Sequence, residues 1–371
     1  MKIGYDAKRA FCNKTGLGNY SRFVIENMLK FSSAELKIIA FTPKVKKGFF
    51  ENFPFDKIVM PEKSFFLGLW RMYGIKKAIE NQKLDVFHGL SNEIPIFKNW
   101  GEIKTIVTIH DLIFLKYPTY YTFFDRHIYN LKFKFACKKA DKIIAVSEKT
   151  KADIINFYKI PENKIEVIYQ SCNEVFKKEV SVVDQKKILE KYQISKPFLL
   201  SVGTLEPRKN QVSIITAFSK IARKDFDLVL IGKGKKYKNQ LESLIKKENI
   251  QNVKILGNVT LKDLPAIYQA SELFIYISLY EGFGIPILEA LASKKPVIAA
   301  KGSCLEEAGG DGAIYVDPLN IKEITNTIDK ALDNQNLKDD LIKNGIEHFK
   351  KFDSELLNKK MLSLYEKTKN A

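Results

Sequence analysis

The sequence predicts an α/β protein built as two Rossmann-like domains facing each other across a cleft. Three observations point there. The chain has 371 residues, and at roughly 100–200 residues per domain that length suggests two domains. Short apolar runs alternate along it with longer amphipathic stretches, the pattern of βαβ units on parallel sheets. Glycines, histidines and clustered charges follow directly after the apolar runs, where ligands bind in doubly wound sheets.

The first series of predicted strands is Ile3–Asp6, Leu36–Phe41, Val86–His88, Thr105–Ile109 and Lys142–Val146. The second is Phe198–Val202, Leu228–Ile231, Val253–Leu256, Leu273–Ile277 and Pro296–Ala299. Runs such as FLLSV and LVLI are apolar nearly throughout, as expected when helices cover both faces of a sheet. The seam falls between Gln170 and Lys196, where a polar stretch and a short helical pattern precede a new first strand. The expected division is residues 1–172 as an N-terminal domain and 173–352 as a C-terminal domain. Residues 353–371 form a helix that either packs on the second domain or crosses back to the first. Its apolar face is expected to hold Leu356, Leu357, Met361, Leu364 and Tyr365.

Composition narrows the classes. Apolar residues make up 45% of the chain, with 26 Phe and 16 Tyr, enough for two cores and against disorder. The four cysteines, Cys12, Cys137, Cys172 and Cys304, are far apart and match neither a disulfide framework nor a zinc site. No signal peptide or membrane span is legible, so a cytoplasmic protein is expected, either soluble or peripheral on the inner membrane face. The formal net charge of +18 draws the chain to an anion: nucleic acid, an anionic membrane or a phosphorylated ligand. A lysine-rich surface that only keeps the protein soluble is the plain alternative.

The motifs choose among these. Ser278 to Ala292 reads SLYEGFGIPILEALA: a strand ends, a glycine loop turns, and Pro286 starts a helix. Gly282, Phe283, Gly284 and Ile285 then lie at a helix N-terminus, which suits an anionic diphosphate. Glu281 and Glu289 suit hydroxyls, Glu289 those of a ribose and Glu281 those of a transferred sugar. Gly203 is followed by Glu206-Pro207-Arg208-Lys209-Asn210. Arg208 offers a fork for phosphate oxygens and Lys209 a point charge. Together they stabilise a leaving diphosphate without a metal. A solvated basic turn is the structural alternative.

Gly16 and Gly18 follow the first strand and open a helix. Ser21 holds the slot of the third glycine of a dinucleotide fingerprint, and Phe41-Thr42 stand where a ribose-binding acid is needed. These departures weigh against a nicotinamide oxidoreductase and favour close backbone approach to a sugar or phosphate. His110 and Asp111 end one strand and His88 another, and all three are candidates for the cleft. His88 and Asp111 are assigned to the acceptor side. A packed, satisfied histidine remains the alternative for His88 and His110, whereas His127 and His348 look structural. Asp225-Phe226-Asp227 is a DxD sequence, but it precedes its strand and reads as a surface turn, so no metal site is expected. Residues 64–77 and 117–139 are basic and aromatic, suiting either core helices or contact with membrane or acceptor.

These residues resemble glycosyltransferase family 4, retaining enzymes of the GT-B fold. The resemblance runs from about Met1 to Asp317. It rests on TGLGNY (15–20), IHDL (109–112), ADKIIAVSEKT (140–150), VGTLEPRKN (202–210), LYEGFGIPILEALA (279–292) and EEAGGDGAIYVDP (306–318). It implies a nucleotide-sugar donor on the C-terminal domain, with Glu289 on the ribose, Glu281 on the donor sugar and Arg208 and Lys209 on the diphosphate. His110 is implied near the donor sugar, and Gly16 and Gly18 in a loop over donor and acceptor. GDP-mannose and UDP-sugars are the donors it suggests. The acceptor is then a glycan or lipid-linked glycan in surface polysaccharide or lipopolysaccharide assembly. No cofactor, metal or nucleic acid is implied. A basic nucleic-acid scaffold, a different Rossmann-type nucleotide-binding protein and a sugar phosphorylase are the competing readings.

Overall fold

The computed structural model describes residues 1–31, 35–48, 50, 53, 57–61 and 69–371. The chain divides into two units, Met1–Gln170 with Phe352–Ala371, and Ser171–Lys351. Each is a parallel sheet among helices. In the first, β1 (Lys2–Asp6), β2 (Lys37–Phe41), β3 (Ile58–Val59), β4 (Val86–Gly89), β5 (Lys104–Ile109), β6 (Lys142–Ala145) and β7 (Ile165–Val167) are ordered β3-β2-β1-β4-β5-β6-β7. In the second, β8 (Phe198–Val202), β9 (Asp227–Ile231), β10 (Val253–Leu256), β11 (Leu273–Tyr276), β12 (Val297–Ala300) and β13 (Ala313–Val316) are ordered β10-β9-β8-β11-β12-β13. Both are the doubly wound order, with the winding reversed beside the first strand of each unit.

Every predicted strand is present, with ends shifted by a residue at most positions. Three strands lie outside the prediction: β3, β7 and β13. All three are sheet edges, and β7 carries an exposed Glu166 at its centre. An edge strand pairs on one side only, so its sequence need not be apolar throughout.

The C-terminal helix Ser354–Lys369 belongs to the first unit. Met361, Leu364 and Tyr365 join a core with Ile3, Tyr5, Val24, Ile25 and Met28. Leu356, placed on the apolar face by its spacing, is exposed instead. A buried polar chain ties this helix to the sheet. Tyr5 Oη donates to Tyr365 Oη (3.2 Å), and Tyr365 Oη bonds His88 Nδ1 (2.7 Å). His88 Nε2 bonds Thr108 Oγ1 (2.8 Å), which meets Tyr20 Oη (3.0 Å). A buried network satisfied at each member fixes one packing arrangement, because a slipped helix leaves its polar atoms orphaned.

In the second unit the loops after β8 and β9 are bound backbone to backbone. Gly203 N–H donates to the Ile231 carbonyl (2.9 Å) and Leu205 N–H to the Lys233 carbonyl (2.8 Å). A Cβ on Gly232 would stand 1.8 Å from the Gly203 carbonyl oxygen, where only backbone could move to relieve it. Gly232→Ala is therefore expected to destabilise the protein by about 3 kcal/mol. In a thermal melt that is a fall in Tm of roughly 6–12 °C.

Candidate active site

β8 and β11 are parallel neighbours in the middle of the second sheet, and the chain leaves them toward opposite edges. Their loops diverge, which opens a crevice at the carboxyl ends of the two strands. After β8 the chain runs through Gly203 into a 3-10 turn, Pro207–Lys209. Asn210 follows with left-handed φ of 59° and leads into the helix Gln211–Lys220. The buried Asn210 amide donates to the carbonyls of Ile277 (3.3 Å) and Pro318 (2.7 Å), while its Oδ1 accepts from Ser213 Oγ (2.7 Å). Leu279 N–H donates to the Arg208 carbonyl (2.9 Å). The basic turn is thus pinned to the loop after β11.

That pinning brings Arg208, Lys209 and Glu281 together. Lys209 Nζ lies 2.5 Å from Glu281 Oε1, and Arg208 Nη1 lies 2.8 Å from Glu281 Oε2. Tyr276 Oη and Ser278 Oγ also donate to Glu281 Oε1, at 3.0 and 2.6 Å. Lys209 Nζ donates to Tyr276 Oη at 2.7 Å, and Arg208 Nη2 reaches Glu206 Oε1 at 2.5 Å. Burial pushes the Glu281 carboxyl up, but Lys209 and Arg208 outweigh it and hold it down to about 2. Arg208 is held in its charged form by Glu281 and Glu206 against the cost of burial. Three donors on Oε1 and one on Oε2 leave Oε2 the oxygen that can accept a further hydroxyl.

The loop from Glu281 to Gly284 enters the helix Ile285–Ala292, with Gly284 at the N-cap and Pro286 one residue inside the helix. Cys304 Sγ bonds the Phe283 carbonyl (2.8 Å), and a Cβ on Gly284 would meet Leu305 and Ala308 at 3.0 and 3.1 Å. Glycine here lets the loop lie flat on the helix Leu305–Gly309. Gly203 differs. A Cβ there would make only ordinary contacts with Tyr276 and Lys209, at 3.6 Å and beyond, so the fold alone does not demand glycine beside those two side chains. Glu289 stands a turn into the helix. Its Oε2 accepts from Tyr268 Oη (2.8 Å), and burial without a cation pushes its carboxyl up to about 7 against that bond.

In the first unit His110 follows β5. Its N–H donates to Asn92 Oδ1 (2.7 Å), and its Nε2 meets the Leu90 carbonyl (2.9 Å). A carbonyl only accepts, so Nε2 carries the proton and Nδ1 is left as an acceptor. Tyr20 packs edge-on to the ring at 4.6 Å. Burial pushes the imidazole down to about 4, and it stays neutral. Asp111 Oδ1 accepts from Ile113 N–H (3.2 Å) at the start of a short helix.

Residues 22–173 match the family described as Glycosyltransferase Family 4, and residues 184–348 match that described as Glycosyl transferases group 1. The chain belongs to glycosyltransferase family 4. It resembles the O-antigen chain mannosyltransferase B of Escherichia coli, 27% identical over 295 residues, which span 78% of this chain and 76% of that one. It also resembles the O-antigen chain mannosyltransferase RfbU of Salmonella typhimurium, 30% identical over 226 residues, 61% of this chain and 58% of that one. Among solved structures, a glycosyltransferase from Rickettsia africae ESF-5 shares the fold with a TM-score of 0.76 at 22% identity, covering 99% of this chain and 98% of that one. Anabaena HepE in complex with UDP-glucose gives 0.77 at 16% identity, over 99% and 100% of the two chains.

Against this, several expectations for the glycosyltransferase change. His88, expected on the acceptor side, is enclosed, and both ring nitrogens are taken by Tyr365 and Thr108. Burial, with the neighbouring His110, pushes its imidazole down to about 3. It has no edge to present to an acceptor. Gly18 lies inside the helix Gly16–Phe31, where a Cβ would stand 1.9 Å from the Asn13 carbonyl oxygen. Packing alone requires that glycine, whereas the Cβ position of Gly16 is open. Asp225 and Asp227 sit at the amino end of β9, paired with Arg223 (2.7 Å) and Lys254 (3.1 Å). Among the described residues no group of three or more His, Cys, Asp or Glu is placed to hold a metal ion. Asn210 and Ser278 stand in the quoted motifs without an assigned role, and Tyr276 and Tyr268 lie outside those motifs as ordinary strand and helix residues. All four hold the charged residues in place.

Proposed function

We propose that this glycosyltransferase moves a sugar from a nucleoside-diphosphate sugar to a glycan or lipid-linked acceptor, with retention of anomeric configuration and without a metal. The reading rests on one observation: Arg208 and Lys209 meet Glu281 at the point where the winding of the second sheet reverses. The cations are held in place before any ligand arrives, so they stabilise the charge of a departing diphosphate with little reorganisation. Glu289 accepts the ribose hydroxyls, and Glu281 Oε2 accepts one hydroxyl of the transferred sugar. In the first unit, neutral His110 keeps Nδ1 as an acceptor. The acceptor oxygen bonds the anomeric carbon on the face from which the diphosphate oxygen leaves, and the acceptor proton passes to that oxygen. The O-antigen names of the Escherichia coli and Salmonella relatives favour GDP-mannose as donor and surface polysaccharide or lipopolysaccharide assembly as context.

A thermal-shift series with GDP, UDP, ADP and TDP tests this. GDP is expected to stabilise most, by about 2.7 kcal/mol at a hundredfold excess over Kd. EDTA should leave the shift unchanged. Preference for UDP would replace the mannosyl donor with a UDP-sugar, and no shift with any of the four removes the proposal. With a matched acceptor, the product's anomeric coupling in NMR reports retention directly.

A further inference from the structure

The helix Phe123–Lys139 is apolar on both sides. Phe133, Ala136 and Cys137 face inward, in a core with Val107, Ile109 and Ile143. Outward stand Phe124, 77% exposed, Leu131, 70%, and Ile128, 48%, with Phe123 beside them at 63%. At roughly 100° per residue, Phe124, Ile128 and Leu131 fall on one line, and Phe135 beyond them is half-buried against the core. The same wheel puts Lys134 and Lys138 along one flank and Lys139 along the other, next to Lys132, which pairs with Glu93 (3.7 Å). Asp125 is the helix's one acidic residue, and it accepts a hydrogen bond from Thr122 at the N-cap (2.8 Å). An exposed apolar stripe between two rows of lysines is the pattern of a helix lying in a bilayer interface, with the apolar side chains in the acyl boundary and the cations at the headgroups.

We infer that this outer face docks the enzyme on an anionic lipid bilayer, with the helix in the membrane plane and Phe124, Ile128 and Leu131 inserted. Charge argues for this occupant. A second copy would bring the same lysines into opposition, on a chain already at +18. Nucleic acid would satisfy the lysines and leave the apolar tips in water. Among the described residues no helix is long and apolar enough to cross a membrane, so the contact is peripheral. The helix descends from the carboxyl end of β5, where His110 stands, to the amino end of β6. Its aromatic first turn therefore lies toward the sheet edge that carries His110. The inference deepens the acceptor side of the proposed function, since docking there would deliver a lipid-linked acceptor to that edge. Its test does not depend on nucleotide binding. The basic aromatic segment 64–77 lies partly outside the described residues and takes no part in it.

The test is co-sedimentation of the full chain with phosphatidylcholine vesicles, with and without phosphatidylglycerol. Wild type should pellet with the anionic vesicles and be released by salt. Phe124→Ser with Leu131→Ser should lower the bound fraction at least tenfold. Lys134→Gln, Lys138→Gln and Lys139→Gln together should weaken binding to anionic vesicles about 100-fold, at about 1 kcal/mol per charge. All the changed side chains are exposed, so both variants should keep the wild-type melting curve and GDP shift. Wild type left in the supernatant would overturn the inference, as would a serine variant that pellets like wild type. A concentration-dependent dimer dispersed by the serine substitutions would assign the face to a second copy instead. Loss of the GDP shift in wild type would strike the donor reading and leave the vesicle result standing.

Discussion

Lys209→Ala is expected to lower turnover by roughly 10²–10³ while the protein stays folded. The ammonium is the cation closest to Glu281, and in the proposed reaction it faces the charge that develops on the departing diphosphate. That charge is largest in the transition state, so the loss should appear mainly in kcat and less in KM. The fold survives because Glu281 keeps Arg208, Tyr276 and Ser278. The cost in stability should be about 1–3 kcal/mol, as for other hydrogen bonds to a charged group. Lys209→Arg should recover only part of the rate, since a planar fork does not occupy the place of a compact ammonium. Steady-state kinetics with a thermal melt of each variant separate the two effects. Wild-type turnover in Lys209→Ala would remove the residue's assigned role.

Nucleotide affinity should depend on Glu289 and on pH through it. Its carboxyl is raised to about 7 in the free protein, mainly by burial. The folded value lies above the unfolded one, so the protonated form favours folding at low pH, and that contribution is lost as pH rises through about 7. Ribose hydroxyls reverse the preference, because two donors favour the carboxylate. Binding should therefore release a proton near neutrality. Affinity should fall by up to about tenfold per unit as pH drops below about 7, and level off above it. Glu289→Ala should weaken nucleotide binding by about 10²-fold, the loss of two charge-assisted hydrogen bonds at about 1.5–3 kcal/mol each, partly replaced by water. Glu289→Gln should remove the pH dependence. Calorimetry in two buffers of different ionisation enthalpy counts the released proton. A pH-independent affinity in wild type would take the ribose away from Glu289.

The expectations that held came from local chemistry. FLLSV, LVLI and TIVTI are legible as buried parallel strands because the burial of both faces is written in consecutive residues. The loop after Tyr276 is legible as a helix N-terminus because glycine and proline act on their own backbone. The histidines show the limit of such reading. His88 and His110 each end an apolar strand and look alike in sequence, but His88 is closed in by Tyr365, 277 positions away.

By itself, then, the sequence determined the element types, the two-domain plan and the family, since each is set by residues within a few positions of one another. Tertiary structure alone decided which unit receives the C-terminal helix, which histidine keeps an accepting nitrogen, and that Glu281 anchors Lys209 across 72 residues of chain. The physical reason is that burial and charge pairing act between groups close in space, and position along the chain does not specify which distant groups meet.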